Sequence, residues 1–262
     1  MAGGTAGRQS ERVLETLEAY YDAAPRPLAT TEEVGPFTLF LRAEEGGFPY
    51  YARPRLAGDA TFAPADVEQV LDRQRELGVP RAIEWVHETT PSLLPAARTT
   101  NALTIEECPL LVLQDHEKAS APTGFTVERL SADGPRIGDV QAALHASFGH
   151  TDEVGPSDPG NRASMIDRGL LTLVGAFDAD GRAVGGGSHG PRGRTTELTG
   201  IAVIPRARKH GVGQAITSTL VADALGAGIE TVFLAAASMD AASVYERVGF
   251  RRTATACIAE AR

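Results

Sequence analysis

A short basic segment that contains glycine carries the clearest chemical signature in the sequence. Residues 206–214 run Arg-Ala-Arg-Lys-His-Gly-Val-Gly-Gln, between an apolar strand-like run and an apolar helix-like run. A helix that begins near Gly211 would direct its free N–H groups and the positive end of its dipole at the loop. Gly211 and Gly213 would let a bulky anion approach the backbone closely. The segment predicts a phosphate-binding loop, with an ordinary strand-to-helix loop as the alternative.

A glycine-rich run, Gly185–Gly190, fits two other patterns by letter. It satisfies Gly-x-Gly-x-x-Gly, which binds dinucleotides only where a helix opens, and Pro191 follows it instead. It also satisfies Gly-x-Ser-x-Gly around Ser188, which would make a hydrolase with Glu197 and His210 as partners. We interpret the run as the structural end of a hairpin and keep a serine hydrolase as an alternative function.

Residue types that bind metals occur without the spacing that metal sites use. Four of them follow one another near a predicted helix end: His145, His150, Asp152 and Glu153. We interpret them as a solvent-facing group and expect no metal. Two cysteines, Cys108 and Cys257, are too few for a disulfide framework or a cysteine-based zinc site, and we expect buried thiols.

The predicted phosphate loop resembles that of one known family. Arg208–Gly213 matches the Arg/Gln-x-x-Gly-x-Gly/Ala loop with which the GCN5-related N-acetyltransferases (GNAT superfamily) hold the pyrophosphate of acyl-CoA. The preceding run, Ile201–Pro205, resembles the fourth strand of that family, and Tyr245–Phe250 resembles its later Tyr-x-x-x-Gly-Phe motif. The resemblance covers about residues 124–262 and implies the GNAT fold.

The resemblance implies acetyl transfer from acetyl-CoA, as cosubstrate, to a primary amine of a small molecule or a protein, without a metal. In the family, acetyl-CoA is held by the fourth strand and by the loop. The residues at those positions are Ala202, Val203, Arg208, Lys209, His210, Gly211, Val212, Gly213 and Gln214. The alternative is a non-catalytic acyl-CoA-binding regulatory module that has kept the loop.

Two residues are the catalytic candidates that the resemblance implies. An alkylamine with a pKa of about 10 is almost fully protonated at neutral pH, so attack on a thioester needs a proton acceptor. Glu197 lies eleven residues before Arg208, where some family members carry a catalytic glutamate. Its alternative roles are a strand-edge carboxylate and a partner of the substrate ammonium. Tyr245 matches the general acid that protonates the departing thiolate, with packing against CoA as its alternative role.

The elements that must position these residues alternate between strands and helices, which predicts a mixed-sheet α/β (α+β) fold. We predict two domains, a catalytic GNAT domain at 121–262 and a smaller, degenerate GNAT-like domain at 1–120. In the second half we predict strands at 125–130, 171–177, 183–187, 197–204, 231–236 and 251–258, and helices at 136–148, 162–170, 211–225 and 241–248. In the first half we predict helices at 8–21, 64–77 and 92–99, strands at 37–42, 50–56, 81–87 and 104–113, and a turn at 45–47.

The two halves show a suspected internal repeat. Residues 85–101 align with 233–249 without a gap at an offset of 148, and a helix of similar size precedes each segment. The first half lacks the Arg-x-x-Gly-x-Gly loop and has Ala97 where the second half has Tyr245. We therefore expect that only the second half binds CoA.

Composition narrows the set of partners. The formal net charge is −9, which disfavours nucleic acid and suits a cationic amine acceptor. No apolar run approaches the length of a membrane span and the N-terminus has no apolar signal region, so we expect a soluble, cytoplasmic protein without a membrane partner. The sequence does not decide the oligomeric state, and a homodimer is one alternative.

Overall fold

The computed structural model describes residues 3–43, 50–58, 60–116 and 118–261. The chain forms two compact units: unit 1 is Met1–Leu110 with Thr253–Arg262, and unit 2 is Leu111–Arg252. This division differs from the predicted boundary at 120/121, because the last ten residues belong to unit 1 rather than to the second domain. The predicted turn at 45–47 lies outside the described residues.

Unit 1 is a mixed sheet with three helices. Its helices are α1 (Gly3–Ala23), α2 (Pro64–Glu76) and α3 (Leu93–Thr99), and its strands are β1 (Ala29–Val34), β2 (Phe37–Arg42), β3 (Ala52–Pro54), β4 (Ala82–Val86), most of β5 (Leu103–Leu113) and most of β11 (Phe250–Ala261). The strand order is β1-β2-β3-β4-β11-β5. Strand β11 pairs antiparallel with β4, from Ala256 opposite Val86 to Glu260 opposite Ala82. This pairing places the chain's last strand in unit 1.

Unit 2 is also a mixed sheet covered by helices, which confirms the predicted fold class. Its elements are β6 (Phe125–Arg129), α4 (Ile137–Phe148), α5 (Arg162–Asp167), β7 (Thr172–Asp178), β8 (Ala183–His189), β9 (Thr195–Val203), α6 (Val212–Gly226), β10 (Thr231–Ala235) and α7 (Met239–Glu246). The strand order is β10-β9-β8-β7-β6, antiparallel from β6 to β9 and parallel between β9 and β10. The main core includes Ile216, Leu220, Phe250 and Leu234, all buried.

Three consecutive glycines inside β8 allow close packing rather than ligand binding. A Cβ atom on Gly185 would lie 2.4 Å from the carbonyl oxygen of Ala202, and one on Gly186 would lie 2.6 Å from that of Val174. Ser188 is in the same strand, and its hydroxyl lies 3.1 Å from the hydroxyl of Thr199. The run lies in a strand that pairs on both sides, so neither a dinucleotide turn nor a nucleophile elbow forms there.

The suspected repeat holds at the level of elements. An offset of 148 carries α2 to 212–224, within α6, and carries β4 to 230–234, over β10. The same offset carries α3 to 241–247, over α7, and β5 to 251–261, over β11. The two halves of the sequence therefore share this order of elements, although β11, the counterpart of β5, lies mostly in unit 1.

The structure adds one strand that the sequence did not predict. Strand β1, with the sequence Ala-Thr-Thr-Glu-Glu-Val, pairs antiparallel with β2, from Ala29 opposite Arg42 to Val34 opposite Phe37. Most of its side chains are exposed or half-buried, so its apolar alternation is weak.

Among the described residues, no helix is long and apolar enough to cross a bilayer.

Candidate active site

Two parallel strands of unit 2 separate and leave an open edge on β9. The pairing between β9 and β10 covers Thr195–Glu197 and Thr231–Phe233, while β9 continues to Val203. Thr199 and Gly200 are exposed although β9 lies between two strands in the sheet order. Strands that are paired on both sides are normally buried, so this exposure marks a cleft beside the second half of β9.

A bulge in β9 accompanies the opening. Strand β8 places Ser188 opposite Thr199 and Gly186 opposite Ala202, so β9 contains one more residue than its partner between these pairs. Gly200 has a φ of +62°, which L side chains rarely adopt. Bulges bend a strand and change the direction of its side chains. The bulge therefore lies in the part of β9 that lines the cleft.

The start of α6 is an uncapped helix terminus. Gly211 is the N-cap residue, with a φ of +85°, and among the described residues no side chain caps the helix. The first turn holds no acidic residue, so no carboxylate of its own offsets the positive end of the dipole. The N–H groups of Val212, Gly213 and Gln214 have no partner within the helix and can receive an anion. The side chain of Val212 is buried in the core and fixes the helix start.

The side chain of Arg208 is held by two backbone carbonyls. Its Nε donates to the carbonyl of Val203 at 2.8 Å, and its Nη2 donates to the carbonyl of Ser147 at 3.0 Å. The guanidinium therefore ties the loop to the end of β9 and to the end of α4. Arg208 is a positioning residue for the loop in this structure.

Neighbouring loop residues are also held in place. His210 donates from Nδ1 to the carbonyl of Arg208 at 2.8 Å, and its ring centre lies 5.9 Å from that of Phe125. Lys209 has a left-handed φ of +63°, and its ammonium has no ion-pair partner among the described residues. Lys209 is thus the side chain in the loop with a free positive charge.

The loop between α4 and α5 is tied to the same region. Asp152 accepts the backbone N–H of Arg206 at 2.8 Å, and the guanidinium of Arg206 lies 3.2 Å from the carboxylate of Asp178. Asp152 therefore has a backbone partner. His145 lies within hydrogen-bond distance of Gln141 and Ser157. No group of three potential metal ligands occurs among the described residues.

Glu197 lies where the two parallel strands part. It is the last residue of β9 that pairs with β10, opposite Phe233, and it is half-buried. Leu198 beside it is buried in the core, so the position is fixed by packing. Ala202 and Val203, predicted to contact the cofactor, are half-buried on the same strand.

Tyr245 projects from α7, a helix capped by the hydroxyl of Ser238. Its ring packs against the core and meets Phe250 edge-on, with ring centres 6.4 Å apart. Burial raises the pKa of Tyr245 to about 12, so the phenol is neutral at physiological pH. Its hydroxyl has no hydrogen-bond partner within the part of the chain that the structure describes, which leaves this donor available to a ligand.

The Gly-Phe pair after Tyr245 has a structural reason. Gly249 has a φ of +110°, and a Cβ atom there would lie 1.5 Å from the carbonyl oxygen of Asp115. The carbonyl of Gly249 accepts the N–H of Gln114 at 3.1 Å. Phe250 is fully buried. The motif therefore fixes the end of α7, and with it the position of Tyr245.

A buried polar group in unit 2 was missed by the sequence analysis. His189 lies 2.9 Å from Asp223 and 3.1 Å from the hydroxyl of Thr196. Burial lowers the pKa of His189, although Asp223 opposes the shift. The histidine is 1% exposed, so this group joins β8 to α6 and offers no reactive surface.

The predicted hydrolase partners of Ser188 do not assemble, because His210 bonds to Arg208 instead.

Comparison with known proteins identifies a family domain within unit 2. The sequence model of the acetyltransferase (GNAT) family matches residues 139–250. Residues 139–250 form a GNAT-family domain. This segment includes the cleft, the uncapped start of α6 and the Tyr-x-x-x-Gly-Phe motif, so the predicted resemblance is confirmed. No curated protein matches the chain.

Solved structures extend the fold likeness to both units. A GCN5-related N-acetyltransferase from Kribbella flavida has 20% sequence identity and a TM-score of 0.74, and the match covers 95% of each chain. A GCN5-related N-acetyltransferase-like protein from Streptococcus suis has 12% identity and a TM-score of 0.61, with 98% and 99% covered. A tandem GNAT protein from the clavulanic acid biosynthesis pathway has 14% identity and a TM-score of 0.56, with 90% and 83% covered. Identities this low show the fold alone, and the likeness in fold covers residues of both units.

Proposed function

We propose that this GNAT protein is an acetyl-CoA-dependent N-acetyltransferase that acts on a primary amine. The observation that supports the proposal most strongly is the uncapped start of α6 beside the open edge of β9. An acyl-CoA molecule has a diphosphate and a pantetheine arm with amide groups. A helix start suits the diphosphate, and an unpaired strand edge suits the amides.

The residues present fit such a ligand. Gly211 faces open space, since a Cβ atom there would meet nothing within 4 Å, and Gly213 contacts only Val203 at 4.0 Å. A diphosphate would thus meet the backbone of residues 211–214 without steric hindrance. Lys209 adds a positive charge that has no protein partner within the described chain. Ala202 and Val203 would hold the pantetheine arm along β9.

Two side chains supply the proton transfers in this proposal. Glu197 takes a proton from the ammonium, so that the neutral amine can attack the thioester carbonyl. A bond then forms between nitrogen and the acetyl carbon, the bond to sulfur breaks, and the second proton of the nitrogen passes to the departing thiolate, which leaves as the CoA thiol. Tyr245 donates a hydrogen bond to the departing thiolate. The GNAT loop and helix hold the other product, CoA, until it leaves.

A cationic acceptor is part of the proposal. The chain carries a net charge of −9, and the loop between α4 and α5 contributes exposed carboxylates such as Glu153. A surface of this sign attracts an ammonium and repels an anionic acceptor. Small amines and protein amines both satisfy the chemistry, and the acceptor panel below separates them.

The test is release of the CoA thiol from acetyl-CoA with a panel of primary amines that includes small polyamines and a lysine-containing peptide. Turnover with at least one amine supports the proposal. Gly213→Glu adds a carboxylate at the start of α6, and we expect it to abolish CoA binding. Gly226→Glu is the matched control, because it adds the same charge at the other end of the same helix, where a Cβ atom meets nothing within 4 Å. CoA binding without turnover on any amine would favour a regulatory module instead.

A further inference from the structure

Unit 1 contains a cavity of about 720 Å³ that the proposed function does not use. Its volume lies within the range of small-molecule sites, about 300–1,000 Å³. Helix α1, the segment after β3 and the segment after β4 line it. Much of the wall comes from Pro54–Gly58, Ala60 and Phe62. The offset of 148 carries positions 54–62 of the sequence to 202–210, where the proposed cofactor segment lies in unit 2. The cavity is thus the counterpart, in the first repeat, of the CoA cleft.

The features that would bind a phosphate are cancelled in unit 1. Helix α2 begins with Pro64, which has no N–H, where α6 has Val212. Asp66 lies in the first turn, and its carboxylate accepts the N–H of Ala63 at 2.8 Å. The N–H of Phe62 is bonded to the hydroxyl of Ser92 at 3.0 Å. The helix start therefore has its own internal partners and a negative charge.

The cavity in unit 1 is lined by carboxylates instead of by groups that would bind a phosphate. Glu11 and Glu15 lie on the face of α1 that lines the cavity, and neither has an ion-pair or hydrogen-bond partner among the described residues. Glu18 on the same face is fixed, because it accepts the hydroxyl of Thr89 at 2.6 Å and lies 3.5 Å from the guanidinium of Arg53. Arg55 is the basic lining residue, and its guanidinium pairs with Glu33 at 3.1 Å. The wall is acidic, with two carboxylates free for a ligand.

Apolar side chains form the rest of the wall. Phe62 is buried at 7% exposure, and Leu14 and Leu56 also face the cavity. An acidic rim over an apolar surface is complementary to an ammonium on an apolar body. We propose that unit 1 binds a cationic amine with an aromatic or alkyl body in this cavity, independently of CoA in unit 2. The inference goes beyond the proposed function, since it assigns a second ligand to the unit without a phosphate loop.

The experiment is calorimetric titration of the full chain with phenethylamine and with 3-phenylpropionate, which has a similar aromatic body and the opposite charge. We expect the amine to bind and the carboxylate not to bind. The double substitution Glu11→Gln/Glu15→Gln should weaken amine binding about tenfold, since each exposed charge contributes a few-fold. Glu68→Gln, an exposed residue of α2 outside the cavity, is the matched control and should change the affinity less than twofold.

A second variant tests the cavity itself. Ala60→Trp places a large side chain at the rim and should remove amine binding, and thermal unfolding checks that the variant folds. Equal binding of the two probes, an affinity unchanged in the double variant and in Ala60→Trp, or no binding up to millimolar amine would each overturn the proposal. A second CoA equivalent per chain that competes with the amine would also overturn it.

The same variants are titrated with CoA, which separates this inference from the proposed function. If CoA binding is unchanged in the variants while amine binding falls, both stand. If the wild-type chain binds no CoA but the amine binds and responds to the substitutions, the proposed function fails and the site in unit 1 stands.

Discussion

Tyr245→Phe removes one hydroxyl and keeps the ring contact with Phe250. Burial raises the pKa of Tyr245 to about 12, whereas a thiol has a pKa of about 8.5. Complete proton transfer from the phenol to the thiolate would therefore be uphill by about 3.5 units, or about 5 kcal/mol. The larger contribution we expect is a hydrogen bond from the neutral phenol to the developing thiolate. Such a bond to a charged group contributes about 1.5–3 kcal/mol, so turnover should fall about 10- to 100-fold.

The assay measures kcat with both substrates saturating, and CoA affinity by calorimetry. We expect kcat to fall and the Kd of CoA to stay the same, because the hydroxyl acts on charge that develops only during the reaction. The raised pKa also predicts that wild-type kcat has no basic limb from Tyr245 up to about pH 11. Tyr20→Phe, at a buried tyrosine of unit 1, is the control. Full turnover in Tyr245→Phe, or a loss explained wholly by weaker CoA binding, would refute the reasoning.

The remaining predictions concern a base, a loop and a half-buried carboxylate. Glu197→Gln should flatten the acidic limb of kcat/KM against pH and slow amines of high pKa most; an unchanged limb would place the base elsewhere. Arg208→Ala should weaken CoA binding by about 1–2 kcal/mol, measured by calorimetry, because two carbonyls lose their donor and the loop must then be ordered on binding. A Kd equal to that of the wild type would show that the loop keeps its conformation without the Arg208 contacts. Glu84 has a pKa raised to about 7, mainly by burial, although Arg53 opposes the shift. Because the folded pKa exceeds the unfolded one, its stabilising effect is complete below about pH 4.5 and is lost as the pH rises through 7. Glu84→Gln should remove that dependence, at most about 3 kcal/mol, in urea unfolding followed from pH 5 to 8; an unchanged slope would contradict the assigned pKa.

The site was predictable from the sequence where its parts are close along the chain. The glycines of the loop, the apolar run of β9 and the helix after it occupy about twenty consecutive residues, and short-range rules specify them. Tyr245 and Gly249 are likewise four residues apart on one helix end. The family resemblance added the roles that spacing alone left open, since a basic loop before a helix is also an ordinary surface loop.

Contacts between residues that are far apart along the chain could not be predicted from the sequence. Arg208 donates to Ser147, 61 residues away, and no local pattern distinguishes this contact from a phosphate contact. Strand β11 joins unit 1 through its pairing with β4, and a strand's partner is not encoded by its own apolar pattern. The bulge at Gly200 requires the register of β8 and β9, which the sequence does not give.

If each unit binds the ligand proposed for it, one scaffold has kept its fold while the ligand changed. Strands β4 and β5 and helices α2 and α3 recur at the offset of 148 as β10, β11, α6 and α7, because burial of their apolar faces is required in both halves of the sequence. The ligand contacts lie at helix starts and loops, where few residues are buried and substitution costs little stability. Replacing Val212 by its counterpart Pro64, and Gln214 by its counterpart Asp66, removes an N–H donor and adds a negative charge at the position where a diphosphate would bind. In the proposed arrangement, two changes of this kind disfavour a polyanion in unit 1, and carboxylates on α1 favour a cation in the corresponding place.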